Sequence, residues 1–287
     1  MLGSCFAENI AVKLQNGGFR CTSNPFGVLY NPMSISACLN RLLSNEPFTE
    51  ADLTEYGGLY HSMLHHGSFS AADPRECLQR LNDALQIGHR ALQEADVIII
   101  TWGTAWIYEM DGRIVANCHK MPANCFTRRR LTGEEIAEHY RQLLALPQMQ
   151  GKQIILTVSP IRHIKDGLHE NQLSKATLLL AADQLTREAG CTYFPSYEIQ
   201  LDELRDYRFY ADDMLHHSAV AVDYIWEQFA RTQLSEEARQ AAAECEAYMR
   251  ARAHRPLHPD DPACLKFAES LEQKRQALLR NYPYLEI

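Results

Sequence analysis

The sequence lacks the features that mark membrane, secreted and nucleic-acid-binding proteins. No apolar run reaches the length of a membrane span, and the chain does not open with a charged segment followed by an apolar core, so neither a transmembrane helix nor a signal peptide is predicted. The net charge is −8, whereas proteins that bind nucleic acid usually carry a basic patch for the phosphates. We therefore expect a cytoplasmic protein without a membrane or nucleic-acid partner.

The sequence also lacks the cysteine spacing of a zinc site or a disulfide framework. Its nine cysteines are an odd number and include no C-x-x-C pair, so reduced and mostly buried thiols are expected. His61 and His65 have the four-residue spacing of a metal site on a helix, but no carboxylate completes the set nearby and Gly67 would end that helix. No metal and no cofactor are predicted.

What the sequence does contain is an alternation of strand and helix patterns. Hydrophobic residues make up 46% of the 287 positions, enough for a sizeable core. Runs rich in apolar or β-branched residues predict strands at 19–23, 97–101, 112–119, 152–160 and 191–196. Helical periodicity and capping signals predict helices within 6–18, 34–94, 132–144, 171–190 and 218–230. This alternation predicts an α/β fold, with a parallel sheet covered by helices.

The sequence changes character near Ser235. Two charged helical segments, 235–253 and 262–279, are separated by the proline-rich stretch "HRPLHPDDP". We expect residues 1–232 to form the main domain and residues 233–287 a helical hairpin. The hairpin either packs on the core or joins copies of the chain into a homo-oligomer.

A candidate nucleophile precedes the first predicted helix. In an open α/β sheet, ligands bind at the carboxyl ends of the strands, and a serine at a strand-to-helix turn there places its backbone N–H at a helix N-terminus, where it can stabilise an oxyanion. Ser4 fits that position. The alternative for Ser4 is an ordinary helix N-cap. The neighbouring Cys5 is a competing nucleophile, although packing within the helix is the role expected for its thiol.

A candidate base and its orienting acid lie just before the last helix of the main domain. Asp213 and His216 have an Asp-x-x-His spacing on a predicted loop. This spacing allows the carboxylate to accept a hydrogen bond from one imidazole nitrogen while the other nitrogen faces a nucleophile. A Gly-Ser before the first helix and an Asp-x-x-His before the last is the order of SGNH (GDSL-type) hydrolases.

Longer motifs carry a closer resemblance. They are "GSCFAENI", "NPFGVLYNP", "HHGSFS", "TWGTAW", "VANCHK", "TVSPIRHIKDGLHENQLSKATLLLA" and "DDMLHHSAVAVDYIWEQF". Together, over about residues 2–229, they resemble the GSCFA family of bacterial proteins, a branch of the SGNH clan. The resemblance implies a three-layer, flavodoxin-like parallel sheet and ester hydrolysis or acyl transfer. Because relatives in the clan act on acetylated carbohydrates, a small acyl group on a sugar is the expected substrate.

The resemblance also implies roles for single residues. Ser4 takes the place of the nucleophile and of one oxyanion donor, His216 that of the general base and Asp213 that of the orienting acid. Gly27 matches the second oxyanion donor, through its backbone N–H. The third donor of the clan is an asparagine in a G-x-N-D segment, which here reads Gly-Thr-Ala-Trp. Two residues are candidates to replace that asparagine: Asn117 and the hydroxyl of Thr104.

Substrate contacts are expected from two polar loops. The candidate residues are His65, His66, Arg162, His163 and His169. The alternative for the second loop is that its polar groups bond to one another. Two further arginines, Arg205 and Arg208, are expected to hold the Asp213 loop in place rather than to touch substrate.

Three functions follow from these observations. The first is a serine esterase that removes small acyl groups, acetyl in preference to long chains, from a carbohydrate or a related ester. The second is a sugar O-acyltransferase, and the third is a non-catalytic binding or assembly protein with the same fold.

Because a nucleophile turn needs a preceding strand and strands usually run about five residues, we expect the natural protein to have an N-terminal segment that this chain lacks. Ser4 would then be exposed and loosely held here.

Overall fold

The computed structural model describes residues 1–253 and 262–287. The predicted proline-rich linker therefore lies outside the described residues up to position 261. The helices of the described ranges are α1 Cys5–Asn16, α2 Pro32–Ser44, α3 Pro74–Glu94, α4 Gly133–Leu144, α5 Leu168–Glu188, α6 Ser196–Glu198, α7 Ala219–Gln233, α8 Glu236–Arg252 and α9 Pro262–Asn281. Among them, no helix combines the length and the apolar character needed to cross a bilayer.

The strands belong to three sheets. They are β1 Leu2–Gly3, β2 Leu53–Tyr56, β3 Leu59–Ser62, β4 Val97–Trp102, β5 Trp106–Met110, β6 Arg113–Val115, β7 Thr127–Arg130, β8 Gln153–Val158 and β9 Thr192–Phe194. The main sheet has the order β1-β4-β8-β9 with parallel pairing throughout. The predicted α/β fold with a parallel sheet is confirmed.

The central strands of the main sheet are buried on both faces. In β4 the residues from Ile98 to Trp102 are buried, and in β8 those from Ile154 to Val158. Their apolar, β-branched composition is what a strand covered by helices on both sides requires. The strands predicted at 97–101, 152–160 and 191–196 are thereby confirmed.

The strand predicted at 19–23 is absent. Instead, the amino group of Met1 donates to the carbonyl of Thr22 at 2.7 Å, and the Asn24 N–H donates to the carbonyl of Met1 at 2.9 Å. This is the bonding pattern of a parallel ladder, over a single residue pair. The side chain of Asn24 adds a further bond, because its Oδ1 accepts from the Gly3 N–H at 2.8 Å. The segment is therefore tied to β1 without forming a strand.

The region predicted as helical between 34 and 94 contains the hairpin β2-β3 as well as α2 and α3. Gly57 and Gly58 join the two strands, and their φ angles are 61° and 76°. Positive φ at both central residues suits the two-residue turn that matches the twist of a hairpin. Helices are confirmed at both ends of the region, and the prediction was wrong for 53–62, where the Gly-Gly turn joins two strands.

A third, antiparallel sheet has the order β6-β5-β7. The strand predicted within 112–119 is confirmed as the shorter β6. The arginine run 128–130 forms β7, where the side chains alternate between the two faces. Arg128 stacks 4.3 Å from the Trp106 ring centroid and pairs with Asp166, whereas Arg129 pairs with Glu109 at 3.3 Å.

The described residues form two compact units, and each consists of two stretches of chain. The first comprises residues 1–8 and 22–221 and contains all three sheets; the second comprises residues 9–21 and 222–287. The second unit has a small core of its own, formed by Ala241, Cys245, Tyr248, Leu278 and Leu285. The single boundary predicted at residue 232 remains a prediction about folding domains.

Candidate functional site

Three strands of the main sheet are followed by a small residue at the same edge. Ser4 follows β1, Gly103 follows β4 and Ser159 follows β8. The register pairs Gly3 with Thr101 and Trp102 with Val158, so these ends are level. The carboxyl ends of parallel strands are where ligands bind in α/β sheets.

A glycine is required immediately before Ser4. Gly3 has a φ of 141°, and a Cβ at this position would lie 2.2 Å from the carbonyl oxygen of Thr101. No side chain fits there without moving β1 away from β4. The Gly-Ser sequence therefore has a structural cause: the glycine brings β1 against β4 and fixes where Ser4 begins the turn into α1.

Ser4 is fully buried, and its Oγ donates to the Oγ of Ser159 at 2.9 Å. Since β1 and β8 lie on opposite sides of β4, they are about 10 Å apart, and the two hydroxyls must converge across the end of β4. The expectation that Ser4 would be exposed and loosely held was wrong, because β1 pairs with β4 and Ser159 holds the hydroxyl.

Cys5, the competing nucleophile, has the wrong environment for a thiolate. Its thiol lies at the first turn of α1, where backbone N–H groups favour negative charge. Burial outweighs them and raises the pKa of the Cys5 thiol, with smaller contributions in the same direction from the charges of Glu8 and Asp213. The thiol is therefore kept protonated.

Asp213 and His216 make the contact that their spacing predicts. His216 Nδ1 lies 2.5 Å from Asp213 Oδ2, and Asp213 Oδ1 accepts the backbone N–H groups of Leu215 and His216, each at 2.9 Å. Hydrogen bonds from the backbone and side chain of His216 lower the pKa of the Asp213 carboxyl to about 2. A carboxylate on Nδ1 fixes the tautomer in which Nε2 of neutral His216 is the proton acceptor. In the described parts of the chain, however, Ser4 Oγ bonds to Ser159 and not to His216.

The Asp213 loop is anchored to the end of β8 by Arg162. The Arg162 N–H donates to the Leu215 carbonyl at 3.3 Å, and its guanidinium donates to the Met214 carbonyl at 3.2 Å. The guanidinium also stacks 3.9 Å from the Tyr210 ring centroid. Arg162 thus performs the task expected of Arg205 and Arg208, and these contacts place it in the scaffold of the site.

Of those two arginines, Arg208 stacks on the neighbouring Phe209 ring at 4.7 Å. Arg205, with a φ of 54°, ends a turn of π-helix at Ile199–Leu204.

His163 lies beside the end of β4. A Cβ on Gly103 would be 3.3 Å from His163 Nε2, and this nitrogen is buried with no hydrogen-bond partner in the described residues. The ring packs edge-on against Tyr30 at 5.7 Å, and the backbone N–H donates to Asn171 Oδ1 at 2.9 Å. Burial, with the charges of Lys175 and His216, lowers the pKa of His163 to about 3. His163 is therefore neutral and has a free nitrogen at the strand ends.

Two of the predicted oxyanion donors are committed to other partners. The N–H of Gly27 donates to the carbonyl of Asn24 at 2.7 Å and closes a turn. The hydroxyl of Thr104 lies 3.1 Å from Ser174 Oγ and accepts the N–H of Trp106, also at 3.1 Å. The Gly27 N–H would have to break its bond to reach an oxyanion, and the Thr104 hydroxyl is held between Ser174 and Trp106.

Asn117 has one side of its amide engaged. Its Oδ1 accepts the N–H of His119 at 2.9 Å. Its Nδ2 lies 3.9 Å from the position that a Cβ on Gly67 would take. Asn117 therefore lies beside the turn that follows His66, whose own Cβ packs against Gly27.

The remaining predicted substrate contacts are scattered. His65 is fully buried, stacks on Phe26 at 4.0 Å and bonds to Ser62 Oγ at 2.9 Å through Nδ1. The predicted contact of His65 with substrate is wrong for this structure, because the ring packs among aromatic side chains in the core and has no exposed surface. His66 is half-buried and bonds to Ser68 Oγ at 3.0 Å, and His169 is exposed in the first turn of α5. Within the described ranges, no cluster of residues could hold a metal ion.

Lys175 and Ser159 are site residues that sequence reasoning missed. Lys175 is 1% exposed, and its ammonium donates to the carbonyls of Gly103 at 2.6 Å and Ser159 at 2.7 Å. Burial lowers the pKa of Lys175 to about 7. A signal was available: Lys175 lies three and seven positions before Leu178 and Ala182, on the buried face of α5.

These features define an α/β protein with a serine at the end of a parallel strand and an Asp–His pair at the same edge of the sheet. Family comparison identifies it more closely. Residues 1–229 match the model of the GSCFA family, and residues 246–287 match the model described as the C-terminal domain of GSCFA domain proteins. The chain belongs to the GSCFA family. No curated protein and no solved structure matches it.

Proposed function

We propose that this chain is a serine ester hydrolase of the SGNH type, with a flavodoxin-like sheet. Ser4 is the nucleophile, His216 the general base and Asp213 the residue that orients His216. The observation that carries the proposal is the 2.5 Å contact of His216 Nδ1 with Asp213, at the sheet edge where Ser4 begins a helix. A base held by an acid near a strand-end serine is the arrangement that nucleophilic acyl transfer needs.

The reaction begins with a change of acceptor. The Ser4 hydroxyl releases Ser159 and gives its proton to His216 Nε2, while Ser4 Oγ attacks the acyl carbon. The resulting tetrahedral intermediate collapses as His216 returns that proton to the leaving alcohol, and an acyl-serine remains. Water then attacks the acyl carbon and passes a proton through His216 to Ser4 Oγ, which releases the carboxylic acid and restores the enzyme.

His163 is proposed as an oxyanion donor in place of the missing asparagine. Its Nε2 is buried, lacks a partner in the described residues and lies beside Gly103, the first residue of the segment where the clan has that asparagine. The neutral imidazole donates when its proton is on Nε2. The commitment of Gly27 and Thr104 to other bonds favours His163 over them.

The proposed substrate is a small acyl ester, with acetyl on a carbohydrate as the first choice by analogy with the SGNH clan. Transfer of the acyl group to a sugar hydroxyl uses the same residues. In that reaction a sugar hydroxyl replaces water as the attacking group in the second half.

One observation favours a non-catalytic role instead. Ser4 has no exposed surface in this structure, and its hydroxyl is bonded to Ser159. A protein that uses the fold for binding or assembly would keep Ser4 in that state, whereas an enzyme must expose it during each turnover.

Covalent labelling decides between these functions. The protein is treated with a fluorophosphonate, whose phosphorus bonds to the oxygen of an activated serine as fluoride leaves, and the modified peptide is located by mass spectrometry. Labelling at Ser4 in the wild type, and its loss in His216→Ala, supports the enzyme; wild-type protein that stays unlabelled supports the non-catalytic role. Hydrolysis of acetylated sugars and of p-nitrophenyl esters with acyl chains of increasing length then tests the substrate class, and a preference for chains longer than about eight carbons would contradict the small-acyl proposal.

A further inference from the structure

Lys175 is a buried cation that forms no ion pair among the described residues. Its two hydrogen bonds go to backbone carbonyls, those of Gly103 and Ser159. Taking a charge out of water costs several kcal/mol, and an apolar side chain of similar volume avoids this cost. A lysine in this position therefore suggests a function beyond packing.

The contacts of Lys175 lead directly to the nucleophile. Its Nζ is 2.7 Å from the Ser159 carbonyl, and the Ser159 hydroxyl is 2.9 Å from Ser4 Oγ. The backbone of Ser159 is fixed from the other side as well, because its N–H donates to the Trp102 carbonyl at 2.8 Å. The ammonium is thus separated from Ser4 by a single, rigidly held residue.

We propose that Lys175 is a positioning residue of the active site. Its ammonium, bonded to the Ser159 carbonyl, stabilises the negative charge that develops at the Ser4 reaction centre during acyl transfer. This inference rests on the proposed function. Ser159 has the complementary role. Its bond with the Ser4 hydroxyl exists in the resting enzyme and is lost when that hydroxyl turns to His216, so it stabilises the resting state and not the transition state.

The pH dependence follows from the groups that face Lys175. One is the His163 imidazole, whose pKa is lowered in part by the charge of Lys175. The other is Tyr197, whose ring centroid lies 5.6 Å from Nζ and whose phenol has a pKa raised to about 12. His163 is neutral above about pH 3 and Tyr197 is neutral below about pH 12, so neither changes charge near neutrality. With a pKa of about 7, Lys175 loses its charge as the pH rises through neutrality. The assistance it gives to Ser4 is therefore present at low pH and lost at high pH.

The test compares rates of fluorophosphonate labelling at Ser4 from pH 6 to pH 9. In Lys175→Met the rate at pH 6 should fall at least about tenfold, as expected for a unit charge several ångströms away in a partly buried site. At pH 9, where the wild-type lysine is neutral, the two rates should converge. The matched control is Lys152→Met, since Lys152 also donates to two backbone carbonyls but is half-buried and precedes β8, at the opposite end of that strand from Ser159.

A second variant separates charge from packing. Ser159→Ala should label about fivefold faster than wild type at all pH values, because it removes a bond worth about 1 kcal/mol from the resting state only. Ser196→Ala is its control: Ser196 is also fully buried and follows the next strand, but bonds to Thr157 and Val158. Its labelling should be unchanged.

The outcomes distinguish this inference from the proposed function. If wild-type Ser4 is not labelled, both are overturned. If Ser4 is labelled but Lys175→Met shows the wild-type rate and pH profile, the proposed function stands and the role of Lys175 is wrong. If Lys175→Met and Ser159→Ala lose the same fraction of the labelling rate at every pH, both residues act only in packing and the inference is wrong. If Lys175→Met does not fold, a labelling rate of Ser159→Ala below that of the wild type is enough to overturn the inference.

Discussion

At the scale of single residues, the proposed chemistry depends on which acceptor the Ser4 hydroxyl takes. In the structure it takes Ser159 at 2.9 Å, while His216 is already oriented by Asp213 at 2.5 Å. The Asp–His half of the proposed triad is assembled, and the Ser4 hydroxyl bonds to Ser159. The cost of moving a neutral hydroxyl from one acceptor to another is about 1 kcal/mol, small beside the barrier of ester hydrolysis.

Asp213→Asn should abolish most activity. The amide cannot accept the Nδ1–H of His216 as the carboxylate does, so the tautomer with a free Nε2 acceptor loses its support. A loss in kcat of about a thousandfold or more is expected, as for the same change in other serine triads. Asp212→Asn, at the preceding exposed position, provides the control and should retain full activity. Comparable losses in both variants would point to loop disruption and not to a triad.

His163→Leu should lower kcat by about a hundredfold with little change in KM, as expected when one oxyanion donor is removed. His163→Gln places an amide nitrogen near the position of Nε2 and should recover much of the rate. His89→Leu is the control, because His89 lies on α3, outside both predicted substrate loops, and bonds to the Leu42 carbonyl; it should behave as wild type. Steady-state kinetics on acetyl esters give these values, and a Gln variant as slow as the Leu variant would exclude hydrogen-bond donation by His163.

At the scale of elements, the strands with unbroken apolar runs were predictable and the short ones were not. β4 and β8 carry their own signal, since both faces of each strand are buried. β7 reads as Thr-Arg-Arg-Arg and has no such signal. It exists because cation–π and ion-pair partners such as Trp106, Asp166 and Glu109 come from other parts of the chain.

The site divides in the same way. The contact of Asp213 with His216 was predictable because both residues lie on one loop at a spacing that fixes the geometry. Ser4 and Ser159, which bond to each other, are 155 residues apart in the sequence. Lys175 is 72 residues from Gly103 and 16 from Ser159, from which a strand–helix connection separates it. Spacing along the chain carries no information on such contacts until the sheet order is known.

Gly3→Ala tests how strongly the first element depends on its glycine. The added Cβ would lie 2.2 Å from the Thr101 carbonyl, so β1 would have to separate from β4. Gly112→Ala is a suitable control, because Gly112 also has a positive φ, 73°, but nothing lies within 4 Å of its Cβ position. Gly112→Ala should cost about 1 kcal/mol in unfolding free energy from backbone strain, and Gly3→Ala at least about 2 kcal/mol more from the clash. Urea titrations measure both, and equal losses would contradict the tight β1–β4 contact.

At the scale of the whole molecule, the two units are interleaved along the chain. Residues 9–21 belong with 222–287, although they directly follow the segment that carries Ser4. The family matches at 1–229 and 246–287 therefore both include parts of the second unit. Removing the C-terminal helices would take away most of the residues with which 9–21 are grouped, so every measurement proposed above uses all 287 residues.

The buried charge of Lys175 should be visible in the stability of the whole protein. Folding lowers the pKa of Lys175 from 10.5 to about 7, so between these values the unfolded chain binds more protons than the folded one. The sign follows directly: the unfolding free energy contributed by this group rises with pH over that window, by up to about 1.4 kcal/mol per pH unit.

Lys175→Met removes this contribution. Leaving the Gly103 and Ser159 carbonyls without a donor costs stability at every pH and does not alter the slope. Buried thiols and tyrosines titrate in the same alkaline range, but they are common to both proteins, so the difference between wild type and variant isolates Lys175. Urea unfolding at pH 7, 8, 9 and 10 should show this difference growing in favour of the wild type. Lys152→Met should give a curve parallel to wild type, and a parallel curve for Lys175→Met would mean that Lys175 keeps its charge throughout.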